Sequence, residues 1–169
     1  MSKWLDLDGP ILADTAYCEG DLVAKEVALT LPAVTPKTAD LRAMGTLTMP
    51  ILGQIEAMEA AITKIGVDKG LLKLVKFESK TLEFRWVKDV KKADGSTKQV
   101  GLKAFLRVTP KTIPGINVDP GNIGENELTF SVSRYQLFVD GEEYWLIDQL
   151  NQIFRVDGTD YCKNLRSLL

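Results

Sequence analysis

The sequence predicts a mainly β domain made of antiparallel sheets. Apolar and polar residues alternate through several long segments, Asp-Gly pairs that suit tight turns lie between them, and turn signals recur at hairpin-like intervals without any repeat or low-complexity tract. With 169 residues and 45% hydrophobic content, the chain can bury one core and is read as a single domain over 1–169.

The first twenty residues, MSKWLDLDGPILADTAYCEG, hold four acidic residues and a Gly-Pro break, and residues 1–14 read as an N-terminal arm. No apolar run there has the length of a secretory or membrane-spanning segment, so a cytosolic chain without membrane binding is expected. LTLPAVTPKTADLRAMGTLTMPIL (Leu29–Leu52) contains three prolines and reads as an extended arm with strand pieces at its ends. IEAMEAAITKI (Ile55–Ile65) divides the criteria: Ile55, Met58, Ile62 and Ile65 fall at helical spacing, whereas Met58, Ala60 and Ile62 also alternate as a strand would. VDKGLLKLVK offers Asp68 as an N-cap ahead of Leu71, Leu72 and Val75, a short amphipathic helix despite Gly70.

KTLEFRWVK (Lys80–Lys88) places Leu82, Phe84 and Trp86 on one face and Thr81, Glu83 and Arg85 on the other, which is the pattern of a half-buried strand. VGLKAFLRV (Val100–Val108) returns with Val100, Leu102, Leu106 and Val108 in one set, so the pair forms a hairpin whose protruding loop, 89–98, centres on Asp94-Gly95. A third long strand spans Glu127–Val139. Its apolar residues are even-numbered at Phe130 and Val132 but odd-numbered at Tyr135, Leu137 and Val139, and a β-bulge near Ser133-Arg134 accounts for the switch. Asp140-Gly141 then supplies positive-φ turn chemistry before EYWLI.

Charge and composition narrow the function. There are 21 basic and 23 acidic residues, a net −2, so no global basic field gathers nucleic acid. The chain has no histidine, which removes the usual general base and transition-metal ligand; no cofactor, metal site or enzymatic activity is expected. Cys18 and Cys162 are read as reduced thiols. The acidic clusters at Glu19–Asp21, Gly124–Glu127 and Asp140–Glu143 lack calcium-loop spacing and read as solvated turns. Lys91, Lys92 and Lys98 could touch phosphates, but Asp89 and Asp94 interrupt them and no aromatic is interleaved, so a charged hairpin tip is the plainer reading. Walker A, GxGxxG and GxSxG sequences are absent. Trp4, Trp86 and Trp145 suit either core anchors or a carbohydrate- or peptide-binding β-sandwich.

RYQLFVDGEEYWLIDQLNQIFRVDG (Arg134–Gly158), followed by TDYCKNLRSLL, resembles the C-terminal third of the major tail tube proteins of contractile-tailed bacteriophages, whose relatives build the tubes of R-type bacteriocins. The shared pattern includes alternating apolar residues, Asp140-Gly141, Ile147-Asp148, Asn151, a Val-Asp-Gly turn and a terminal helix with Arg166. LTLPAVTPKT, LRAMG, LGQIEAMEA and VDPG occur upstream in the family's order, so the similarity spans about residues 15 to 169. Leu150 stands where many relatives have proline, and Ser167-Leu168-Leu169 replaces their usual Gly-Leu ending.

The resemblance implies a tail-tube fold: antiparallel β-sandwich or barrel-like sheets with one short helix and a protruding β-hairpin, a strand at about Glu56–Lys64 and the helix at about Val67–Lys76. It implies hexameric rings in which inner sheets pair edge to edge into an inter-subunit barrel, with rings stacked into a conduit for DNA or, in a bacteriocin, ions. Partners implied are further copies of the chain, a tail sheath protein, baseplate or tube-initiator and tail terminator proteins, and a tape measure protein and genomic DNA that pass through the lumen without specific binding. Assembly in the bacterial host cytoplasm and a final place in the virion tail follow. The expected stacking segments are the loop Asp89–Lys98, the arm Pro32–Met49 and a C-terminal arm over 159–169. Candidate interface residues are Pro32, Pro36, Lys91, Lys92, Asp94, Gly95, Asp140, Gly141, Asp148, Asn151 and Arg166; candidate lumen residues are Glu83 and Glu127. A type VI secretion-like tube protein is an alternative with the same architecture.

Overall fold

The structure is a computed structural model that describes residues 6–25 and 27–169, so Trp4 and the start of the N-terminal arm lie outside the described residues. In chain order the first elements are β1 (Leu7–Cys18), β2 (Asp21–Lys25), β3 (Ala28–Thr30), β4 (Pro36–Arg42), β5 (Thr46–Ile55), β6 (Met58–Ile65) and α1 (Lys69–Val75). They are followed by β7 (Lys80–Lys91), β8 (Thr97–Pro110), β9 (Glu125–Val139), β10 (Glu142–Asp148), β11 (Ile153–Val156), β12 (Thr159–Asp160) and α2 (Lys163–Leu168).

Alternation sets the faces. Leu82 and Phe84 of β7 and Ala104, Leu106 and Val108 of β8 are buried, and the two strands pair antiparallel from Lys80–Val108 to Lys91–Thr97. The ladder runs further than the sequence suggests, so the expected 89–98 loop shrinks to the turn Lys92–Ser96. Asp94 closes it by accepting from the backbone N–H and hydroxyl of Ser96, which is the local chemistry that makes the turn compact. The other side of β7 pairs with β1, and β2 pairs only with the last part of β1, Thr15–Cys18.

The fifteen-residue β9 organises the rest. One side pairs with β8; on the other, Glu125–Val132 pairs with β6 and Arg134–Val139 pairs with β10. Val108 faces Val132 while Arg107 faces Arg134, which leaves Ser133 as the extra residue of the expected bulge. Leu128, Phe130 and Val132 before it, and Tyr135 and Leu137 after it, thereby reach the same core.

The segment with mixed helical and strand periodicity is a strand. Every residue from Met58 to Ile65 has a partner on β9, and that pairing overrides helix propensity. The helix follows at once: Asp68 accepts the Leu71 N–H at 3.0 Å, and Leu71 and Leu74 are buried. Leu72, expected inward, is exposed. Gly70 is required by packing, because a Cβ there would run into the Val23 carbonyl oxygen of β2. At the other end, buried Lys80 donates to the carbonyls of Lys73, Leu74 and Lys76, satisfying acceptors that the last turn leaves open.

One core cluster draws on β1, β2, β6, α1, β7, β8, β9 and β10, so the run β2-β1-β7-β8-β9-β6-β3 curls around it and α1 packs on β2. The wing β10-β11-β12 leaves the second half of β9. Cys18 and Cys162 are free and buried.

The arm with three prolines differs from expectation. Pro36–Ile55 forms a separate two-stranded antiparallel ribbon, β4 with β5, reversing through Met44 (φ 48°) and Gly45 (φ 116°). Proline is tolerated because each ribbon strand has one edge free of ladder bonds. Among the described residues this ribbon, rather than the β7–β8 tip, forms a sheet of its own. The C-terminal arm instead folds back: β12 pairs with β11, α2 follows, and a Cβ on Gly53 of β5 would press on Leu165.

Candidate assembly surfaces

The curled sheet stops short of closure. Among the described residues, Leu7–Asp14 of β1 has a ladder partner only in β7, and Ala28–Thr30 of β3 only in β6. Between these two free edges runs a groove lined by Ile11, Asp14, Val27, Ala28, Leu29, Leu31 and Trp86. Across it the Val27 N–H donates to Asp14 Oδ1 at 2.8 Å. Ile11 and Leu12 are exposed, while Leu29, Leu31 and Trp86 pack partly on the core, so the groove has an apolar floor.

The β4–β5 ribbon is amphipathic. Its cross-strand pairs Leu41–Leu47, Ala39–Met49 and Lys37–Ile51 lie on one face, and Arg42–Thr46, Asp40–Thr48 and Thr38–Pro50 on the other. Every residue from Asp40 to Pro50 is exposed, including Leu41, Leu47 and Met49 at about half their surface. An isolated two-stranded ribbon is marginal in water, and this one also leaves its apolar face wet.

The sheet surfaces away from the core are of two kinds. Around Glu83 the registers gather Arg85, Lys103, Arg107, Arg134 and Arg155 against Glu83, Glu143 and Asp148. Glu83 is paired with Arg85 at 2.6 Å, and Arg85 stacks over Tyr17 at 4.5 Å. Glu143 takes Arg155 through both oxygens at 2.7 and 3.2 Å and also accepts from Gln136. Hydrogen bonds from Arg155 hold its carboxyl below the ordinary glutamate range. Around Glu127 the surface is different: Ala28, Thr30, Glu59, Ala61, Thr63, Thr129 and Ser131 are its neighbours, mostly short and hydroxyl-bearing.

The remaining predicted residues are largely occupied within the chain. Asp148 accepts from the N–H groups of Leu150 and Asn151 and from Asn151 Nδ2 at 2.8 Å, so these two lock the turn after β10. Arg166 binds Asp160 and the Gln152 carbonyl, fastening α2 to the wing. Asp140 (φ 51°) and Gly141 (φ 81°) make the β9–β10 turn, and Lys98 reaches Asp140 at 3.3 Å. Pro32 is buried and Pro36 half-buried. Lys91, Lys92, Asp94 and Gly95 stand exposed at the β7–β8 tip. Trp86 and Trp145 pack against the core instead of forming an open aromatic platform. Sequence reasoning missed the groove residues Ile11, Leu29 and Leu31, whose signal was apolar character near a proline, Pro10 within β1 and Pro32 after the short β3.

Comparison with known proteins agrees with this architecture. No curated protein matches the chain. Among solved structures it is similar to a chain of the sheath–tube complex of the PVC extracellular contractile injection system in the extended state, at 12% identity and TM-score 0.55, over 77% of this chain and 90% of that one. It is also similar to a chain of the same system's sheath/tube terminator in the extended state, at 13% identity and TM-score 0.54, over 76% and 95%. Residues 11–169 match the family model for phage tail tube protein FII. The chain therefore belongs to the phage tail tube protein FII family, and it is a structural subunit of the tail tube of a phage or phage-like particle.

Proposed function

We propose that neighbouring copies complete the open wall of this subunit into closed six-membered rings, which stack head to tail into a tube. The observation that carries this is the curled sheet that, among the described residues, leaves edges of β1 and β3 unpaired, beside a ribbon whose outer part, Asp40–Pro50, is exposed. Closure removes such edges, and a head-to-tail contact propagates instead of terminating.

The bore of such a tube must let a polyanion slide. Duplex DNA carries a charge about every 1.7 Å, and a wall rich in arginine would hold it. The surface around Glu127, with Thr63, Thr129 and Ser131, suits the bore, whereas the arginine-rich surface around Glu83 suits contact with another protein. Of the two lumen candidates, Glu127 is retained and Glu83 is reassigned. The conduit serves DNA in a phage and ions in a bacteriocin. A sheath protein surrounds it, a baseplate initiator and a terminator end it, and the tape measure protein passes through without a specific site. The similar chains from sheath–tube and sheath/tube-terminator complexes support a sheath and a terminator as partners. Assembly takes place in the host cytoplasm, and the chain's part in it is structural.

Electron microscopy of the purified protein at rising concentration tests the reading. Rings or tubes with six-fold symmetry are the expected result. A monomer that persists at all concentrations overturns it.

A further inference from the structure

Two polar side chains stand in rows of core residues, away from the assembly surfaces. Along β6 the inward positions are Met58, Ala60, Ile62 and then Lys64, which is 5% exposed. Along β9 the facing row reads Val132, Phe130, Leu128 and then Asn126, which is 1% exposed. Lysine and asparagine are seldom buried so completely unless a partner offsets the lost hydration. The ladder sets the two directly opposite one another. Side chains so placed on one face of an antiparallel pair have Cβ atoms about 4.5–5.5 Å apart, within reach of a lysine stem.

A carboxylate completes the group. Asp68 Oδ2 lies 3.1 Å from Lys64 Nζ, while Asp68 Oδ1 is held by the Leu71 N–H at the start of α1. The Asn126 amide nitrogen donates to the Gly66 carbonyl at 2.8 Å, and the Gly66 N–H donates to the Gly124 carbonyl at 2.9 Å, which pins the ends of both strands. Among the described residues Lys64 Nζ bonds only Asp68, and the Asn126 amide nitrogen only Gly66. An amine, a carboxamide and a carboxylate are thus gathered at one end of the core.

We propose that Lys64 and Asn126 become joined by an isopeptide bond that the chain makes on its own, with Asp68 carrying the protons. The Lys64 ammonium passes a proton to Asp68, and the free amine attacks Asn126 Cγ. The Nζ–Cγ bond forms, the Cγ–Nδ2 bond breaks, and the amide oxygen stays in place. The two protons that Nζ loses travel through Asp68 to Nδ2, which leaves as ammonium, so charge is conserved and no second reactant enters. The Asp68 side chain is more than half exposed, which gives the ammonium a way out. Fixed placement replaces a chance encounter, and this lets a slow amide exchange run once to completion. The bond closes a loop that contains α1, β7 and β8, and it ties together the two strands whose opposite face carries Thr63 and Glu127. It does not depend on assembly, so either reading can fail without the other.

Intact mass spectrometry of the purified, folded full chain tests the proposal. The expected mass is one ammonia, about 17 Da, below that of the sequence, and a digest should contain a branched peptide carrying Lys64 and Asn126. Lys64→Arg keeps a charge beside Asp68 but has no amine to attack, and Asn126→Ala has no amide to lose. Both variants should show the full mass of their own sequences. A native chain at full sequence mass overturns the proposal. So does an ammonia loss that persists in Lys64→Arg, because an asparagine that cyclises on its own backbone loses the same group.

Discussion

Glu143 shows how much a single side chain contributes. Its carboxylate accepts from both Arg155 nitrogens and from Gln136, tying β9, β10 and β11 together on a half-buried surface. Because these bonds favour the ionised form, its carboxyl titrates below the ordinary glutamate value of 4.5 in the fold. A depressed acid stabilises the fold fully above its ordinary value and loses that stabilisation as pH falls through the depressed one. Glu143→Gln is therefore expected to lower stability at neutral pH by about 1 kcal/mol. In urea titrations the gap from the native chain should narrow as pH drops below the ordinary glutamate range, and a gap independent of pH would refute the assignment. Individual residues were unevenly legible. Asp68 as an N-cap and Asp140-Gly141 as a positive-φ turn follow from local chemistry, and both are observed. Asp148, Asn151 and Arg166 stood out only through family resemblance, and the structure gives each an internal partner, which no local pattern revealed.

At the scale of elements, α1 sets propensity against packing. Alanine is a better helix former than glycine by about 1 kcal/mol, so propensity alone favours Gly70→Ala. The Val23 carbonyl of β2 occupies the space where the methyl group would lie. Overpacking of this kind costs about 1–3 kcal/mol, so the substitution is expected to destabilise, seen as a lower urea midpoint. An increase in stability would show that α1 can lift away from β2. The same competition explains which elements were readable. β7, β8 and β9 declare themselves by alternation because one face of each is core, and the switch in phase at Ser133 revealed the bulge. β6 carries helical spacing that only its ladder with β9 overrules. The ribbon was hidden by its prolines, and the alternation of its outer part, Asp40–Pro50, has no matching burial, because both of its faces are exposed there.

For the whole molecule, function depends on which surface turns inward. If the surface around Glu127 lines the bore, Thr63→Lys together with Thr129→Lys converts a hydroxyl-rich wall into a basic one without touching the core. Tubes of that variant are expected to co-sediment with short duplex DNA at low salt and to release it as salt rises, while native tubes bind none. Equal binding by native and variant tubes would place the bore elsewhere. The bulged strand has a mechanical consequence. Since β9 belongs to both branches of the sheet, a pull on the β10 wing crosses Ser133 along covalent backbone and not through side chains that can slide apart. If copies stack into a column as proposed, a load along it would part the joints between copies before any single copy tore.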